Sequence, residues 1–129
     1  MEVFVCLGDD NQIAVIDAST LEVSRKIESG PDPGLLAVDP KGERLYIANE
    51  DDSMVTVVDR ASGETVGEVA VGLEPEGMAV SPDSKVTVAT SETTSMAHFI
   101  DNATLELLAN VLVDTRPREA QFTSDGETV

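Results

Sequence analysis

The sequence predicts an all-β fold built from three consecutive 42-residue repeats, each forming four short antiparallel strands, as in an arc of a β-propeller. Three observations predict it. Asp17, Asp59 and Asp101 end the runs IAVID, VTVVD and AHFID, and from 17 to 59 and from 59 to 101 the step is 42. Pro33, Pro75 and Pro117 keep that step, as do Asp39, Ser81 and Thr123. Between these marks lie short runs rich in β-branched residues, and no stretch holds a helical period.

The repeats fit residues 3 to 44, 45 to 86 and 87 to 128 without a gap, as one partial propeller domain over residues 1 to 129. In the middle copy LYIAN and MVTVVD flank the polar EDDS and read as a hairpin. RASGE then turns the chain into TVGEVAVG, LEPEG breaks it, and MAVSP is the fourth strand. SPDSK, like DPKGE and TSDGE, is a turn in which Asp bonds its own backbone and Gly takes a positive φ. Three repeats cannot close a ring, which takes roughly 4–8 blades. The sequence therefore reads as an arc of a longer protein, whose uncovered end faces favour self-association.

Composition excludes several classes. A chain of 129 residues allows one ordinary domain. Its apolar runs are too short to span a bilayer as a helix. The net charge of −17 repels phosphate backbones, so nucleic acid is not an expected partner. Such acidity suits a high-salt source or a secreted protein, and both stay open. Cys6 is the sole cysteine, and within VFVCL it reads as a buried, inert thiol. MEVFV carries no basic leader, so no signal peptide is expected within the chain.

The Pro turns share one end of the repeats with the loops GDDN (8–11), EDDS (50–53) and ETTS (92–95). Asp32, Glu74 and Arg116 occupy one repeat position there, and Gly34, Glu76 and Arg118 another. Two acids then face two arginines, whose forked guanidiniums match carboxylates and other anions. The candidate binding cluster at this channel mouth is Glu74, Glu76, Glu92, Thr93, Thr94, His98, Arg116 and Arg118. An ion-pair cluster between neighbouring repeats is the plainer reading of the same residues. Asp9, Asp10, Asp51 and Asp52 carry oxygens for a hard cation, but their spacing follows no calcium-loop motif, and neither metal nor cofactor is expected. His98 stands at the repeat position of Ala14 and Thr56. With no second His to complete a metal set, it reads as a satisfied histidine between repeats rather than a ligand. Ser91 and Ser95 lack a Gly-rich elbow, so no catalytic residue is expected.

The stretches SGPDPGLLAVDPKGERLYIANEDD, EPEGMAVSPD, TSETTSMAHFID and VLVDTRPREAQFTSDG resemble PQQ-dependent catabolism-associated β-propeller proteins, within the YVTN-type β-propeller repeats. The resemblance covers essentially the whole chain. It implies a seven-bladed protein, periplasmic or secreted, that serves PQQ-dependent alcohol oxidation as a non-catalytic binding or scaffold module. The partner so implied is a PQQ-dependent dehydrogenase or its cytochrome. Without tryptophan the chain lacks the stacking platform of a quinoprotein. The competing reading is a lactonase-type hydrolase at the mouth, around Glu92, His98 and Arg116. Heme binding ranks third, because axial ligation wants more than one lone histidine.

Overall fold

The computed structural model describes residues 1–129. Eleven strands follow one another: β1 (Glu2–Leu7), β2 (Gln12–Asp17), β3 (Glu22–Glu28), β4 (Pro33–Val38), β5 (Arg44–Asn49), β6 (Met54–Asp59), β7 (Thr65–Ala70), β8 (Pro75–Val80), β9 (Val86–Ser91), β10 (Met96–Asp101) and β11 (Leu107–Leu112). A single 3-10 turn, Gly8–Asp10, lies between β1 and β2. No helix is long and apolar enough to cross a membrane.

The strands form three separate antiparallel meanders: β1–β3, β4–β7 and β8–β11. Residues 113–129 follow β11 without adding a strand. The expected propeller arc with four strands in every repeat, part of a seven-bladed ring, is therefore corrected. The fold is three open sheets, the first of three strands and the others of four, with no ring closure. The reason is physical. A repeated pattern of apolar and turn residues dictates the hydrogen bonding inside each sheet, whereas closure depends on contacts between sheets that the pattern does not specify.

The backbone nevertheless keeps the 42-residue step. Positive φ values occur at Asn11, Ser53 and Ser95; at Leu21, Gly63 and Leu105; at Asp32, Glu74 and Arg116; and at Gly42, Ser84 and Gly126. These are four repeat positions, each used three times. Register shifts recur likewise between Val15 and Ile16, Val57 and Val58, and Phe99 and Ile100. Asp17, Asp59 and Asp101 each accept backbone N–H bonds from the turn that follows, at Ser19, Ser62 and Thr104. A short acid that satisfies a turn's amides thus ends β2, β6 and β10.

The middle sheet is covered on both faces, because successive side chains of a strand point to opposite sides. Leu45 and Ile47 of β5 join Ile13, Val15 and Ile27 of the first sheet. Tyr46 and Ala48, alternating with them in sequence, join Met78, Ala89 and Ile100 of the third. β5 and β6 accordingly read as nearly continuous apolar runs, and full burial of each Leu or Ile contributes about 1.5–3 kcal/mol. The outer sheets are less evenly covered, with β9 buried from Thr87 to Ser91. All six residues of β11 are exposed, as are Val3 and Val5 of β1. This stacking brings the loops that precede β4 and β8 to the same end as those that follow β5 and β9.

Candidate functional site: an arginine and carboxylate rim

Each rim junction is built by one backbone device. The amide of Glu50 donates to the carbonyl of Asp32 at 3.0 Å, and that of Glu92 to the carbonyl of Glu74 at 3.0 Å. The residue before each proline stands in the left-handed region, where it turns the chain sharply into the next edge strand. These bonds place the side chain after β5 beside the Asp32 turn, and that after β9 beside the Glu74 turn.

At the second of these junctions Glu92, with a side chain only 10 % exposed, lies between two arginines. Arg116 pairs with its Oε1 and Arg118 with its Oε2, the latter at 3.1 Å. Arg118 also reaches Glu76 Oε2 at 3.5 Å. The Thr93 hydroxyl donates to Glu74, which anchors the outer edge. Glu74, Glu92, Thr93 and Arg116, with Ser95 and Thr115, line an open groove of about 490 Å³. Both arginines are mostly exposed, and Arg116 lines that groove.

The two carboxyls of this junction differ in their proton affinity. Burial raises the Glu76 carboxyl above its ordinary range, and a hydrogen bond to Glu92 raises it further against the pull of Arg118. Burial also acts to raise Glu92, but the bond from Glu76 and the charges of Arg116 and Arg118 outweigh it and hold Glu92 low. Of the two, Glu76 therefore holds a proton more readily than Glu92. Nearby Thr90 is 3 % exposed, and its hydroxyl has no partner. A Cβ on Gly77 would collide with both that hydroxyl and the Arg118 carbonyl.

His98 and Thr94 stand apart from this cluster. His98 is 5 % exposed and engaged at both nitrogens. Nδ1 lies 2.7 Å from Asn110 Oδ1; Nε2 lies 3.0 Å from Ser91 Oγ and accepts the Gly72 amide at 3.0 Å. An N–H donated into Nε2 makes Nδ1 the protonated nitrogen of a neutral ring. Thr94, with a buried hydroxyl lacking a partner, lines a second small hollow with His98, Gly72 and Asn110. The structure therefore brings together Glu74, Glu76, Glu92, Thr93, Arg116 and Arg118, and sets His98 and Thr94 at the clamp on the linker between β7 and β8. Glu50 and Thr90 escaped the sequence reading, although Glu50 is Glu92 displaced by one repeat.

The Cytochrome D1 heme domain model matches residues 2–124. The chain belongs to the Cytochrome D1 heme domain family. The domain is similar to Kuenenia stuttgartiensis hydrazine synthase, with a TM-score of 0.93 and 26 % identity over 98 % of this chain and 37 % of that one. It also shares the fold of the dihydro-heme d1 dehydrogenase NirN in complex with DHE, with a TM-score of 0.73 and 23 % identity over 85 % of this chain and 24 % of that one. No curated protein matches the sequence. The chain thus spans less than half the length of either relative.

These findings correct the assignment to PQQ-associated YVTN propellers, and with it the non-catalytic scaffold, the lactonase alternative and the PQQ-dependent dehydrogenase or cytochrome as partner. The motifs quoted for that resemblance are mostly turn and strand residues, which serve any repeat of this geometry. Heme, ranked third from the sequence, is the group this family implies. A periplasmic or secreted location accords with both relatives.

The donor set decides how far the cytochrome D1 heme domain residues suit a heme. The sole histidine is buried with both nitrogens bonded. Burial pushes the Cys6 thiol up to about 11, so it is no thiolate at neutral pH. The rim holds carboxylates, hydroxyls and guanidiniums, without imidazole, thiolate or thioether. These residues do not fit axial ligation of the iron. They do fit the carboxylates at a heme's edge, which paired guanidiniums recognise.

Proposed function

We propose that this chain is part of an enzymatic heme d1-type domain and supplies its carboxylate-recognition rim, through Arg116 and Arg118. A heme contributes redox chemistry at its iron, and the protein contributes binding, orientation and electrostatics. The observation that carries the reading is the pair of exposed guanidiniums held at the rim by one nearly buried carboxylate, Glu92. In a chain of net charge −17, two adjacent arginines make this rim a favourable place for an anionic edge. Membership of the cytochrome D1 heme domain family and the likeness to hydrazine synthase support the reading.

The test is titration of the full chain with iron protoporphyrin IX, followed by its absorption. Replacing Arg116 and Arg118 together by Ala is expected to weaken binding by tenfold or more, on the order of two charge-assisted bonds. His98→Ala is expected to leave the absorption spectrum of the bound heme unchanged. Full affinity in the double arginine variant, or a ligand-field change in His98→Ala, overturns the assignment.

A further inference from the structure

Glu92 occupies both arginines with its own carboxylate, in the place an incoming carboxylate would take. Such a ligand has two routes. It crowds in beside Glu92, adding negative charge to a rim that already holds Glu74, Glu76 and Glu92, or it displaces Glu92 from the guanidiniums. Displacement leaves Glu92 as a nearly buried carboxylate without its cations. The acids on this side of the rim are then unfavourable to its charge: Glu76 on β8, Glu74 through Thr93 in the turn before it, and Glu50 of the middle sheet, which repels Glu76. A buried carboxylate that loses its cations takes up a proton.

We propose that the rim is a proton-linked carboxylate-exchange site, in which Glu92 holds Arg116 and Arg118 until a ligand carboxylate displaces it, and binds a proton from solvent as it leaves. The inference rests on the proposed function for its ligand class and adds the coupling. The proton balance is simple. Before exchange Glu92 is a carboxylate between the two guanidiniums; afterwards it holds one proton drawn from water, and the ligand carboxylate carries the charge Glu92 gave up. The Thr90 hydroxyl, buried without a partner beside the Arg118 main chain, is a polar group available to the rearranged carboxyls. The two arginines are free to pivot, since 68 % and 62 % of their side-chain surfaces are exposed.

The sign follows from linkage. The complex binds more protons than the free protein, so affinity rises as pH falls toward the ordinary carboxylate range, by at most about tenfold per pH unit for one proton. The rise ends where the ligand's own carboxylates become protonated.

The probe is metal-free mesoporphyrin, which carries propionates without iron. Its binding to the full chain is measured by calorimetry at pH 5.5 and 7.5, in pairs of buffers that differ in ionisation enthalpy. The expected result is net proton uptake approaching one per ligand, with affinity several-fold higher at the lower pH. Glu92→Gln, which keeps the shape but cannot ionise, is expected to bind more tightly at pH 7.5 and without uptake. Arginine-dependent binding with no proton uptake by the native chain overturns the exchange while leaving the rim intact. Binding indifferent to the arginines, or none at either pH, overturns both. The native proton count needs no variant, so a poorly folding Glu92→Gln does not remove the test.

Discussion

Glu50 and Glu92 occupy the same repeat position, on the same backbone, with the same amide bond to the residue before the proline. Their carboxyls nevertheless move in opposite directions. Burial raises Glu50, and Asp32, Glu76, Glu74 and Asp51 raise it further, with no cation to offset them. Glu92 is held low because the following segment brings Arg116 and Arg118 where the preceding one brought Glu74 and Glu76. The left-handed residues and strand registers supply a socket three times over; the letters placed in it decide whether the socket repels or receives an anion. Function in this fold resides in substitutions that leave the geometry alone.

The same contrast holds inside the sheets and makes the largest prediction. Asn49 donates to Thr56 Oγ1 at 2.7 Å across β5 and β6, and Ser29 Oγ reaches Asn49 Oδ1 at 3.0 Å. One repeat later Ser91 faces His98 across β9 and β10, and Gly72 takes the pinning role with its amide. The large and small partners have exchanged strands, and in both cases the buried pair fastens the linker to the next sheet. His98→Ala strands the Gly72 amide and is expected to cost about 2–3 kcal/mol in chemical denaturation. Transplanting the middle pair, Ser91→Asn with His98→Thr, is expected to recover at least half of that loss. Failure of the transplant would show that the two junctions are not interchangeable.

A smaller effect tests the electrostatic half of the comparison. Glu50 has a raised folded carboxyl, so the folded chain binds more protons than the unfolded one, and its ionisation above the ordinary carboxylate range weakens the fold. Glu50→Gln is expected to raise the Tm at pH 7 by a few degrees, corresponding to less than about 1 kcal/mol for a half-exposed group. The gain is expected to vanish by about pH 4, where the native carboxyl is itself protonated. Asp83, held down to about 2 by Ser81, the Lys85 amide and the Lys85 side chain, works the other way. Its contribution is present above the ordinary carboxylate range and fades as pH falls toward 2.

The smallest expected change concerns the socket itself. Ser53 has a φ of 59° at the position where Asn11 and Ser95 also stand left-handed. Ser53→Gly relieves a side-chain clash and is expected to stabilise by about 0.5 kcal/mol, after the entropy of the more flexible unfolded chain is subtracted. A loss of stability there would mean that the residue contributes more than its backbone angle.

Much of this architecture was legible in the sequence because Asp17, Asp59, Asp101 and the prolines mark turns by local chemistry, and local chemistry repeats. The charges at 74, 76, 116 and 118 were equally visible, since a fixed period puts them on one end. The arrangement of sheets was not, because closure depends on faces meeting across space. The opposite shifts of Glu76 and Glu92 were invisible as well, for they depend on which side chains meet across the junction. The task of His98 required knowing that Gly72, 26 residues away, lies against it. The kinship was misjudged because turn and strand letters are common currency among repeats of this size.

The double-sided burial of the middle sheet also ranks the molecule by how readily its parts open. Amide hydrogens of β5 and β6 are shielded from both directions and are expected to exchange with deuterium slowest, near the global unfolding limit. Those of β11 and of residues 113–122 lie at the opposite extreme, exposed or outside any ladder. Arg116 and Arg118 belong to that loosest part. A ligand seated on them is expected to slow exchange mainly there, so occupancy of the rim would register as ordering of the tail while the centre stays silent.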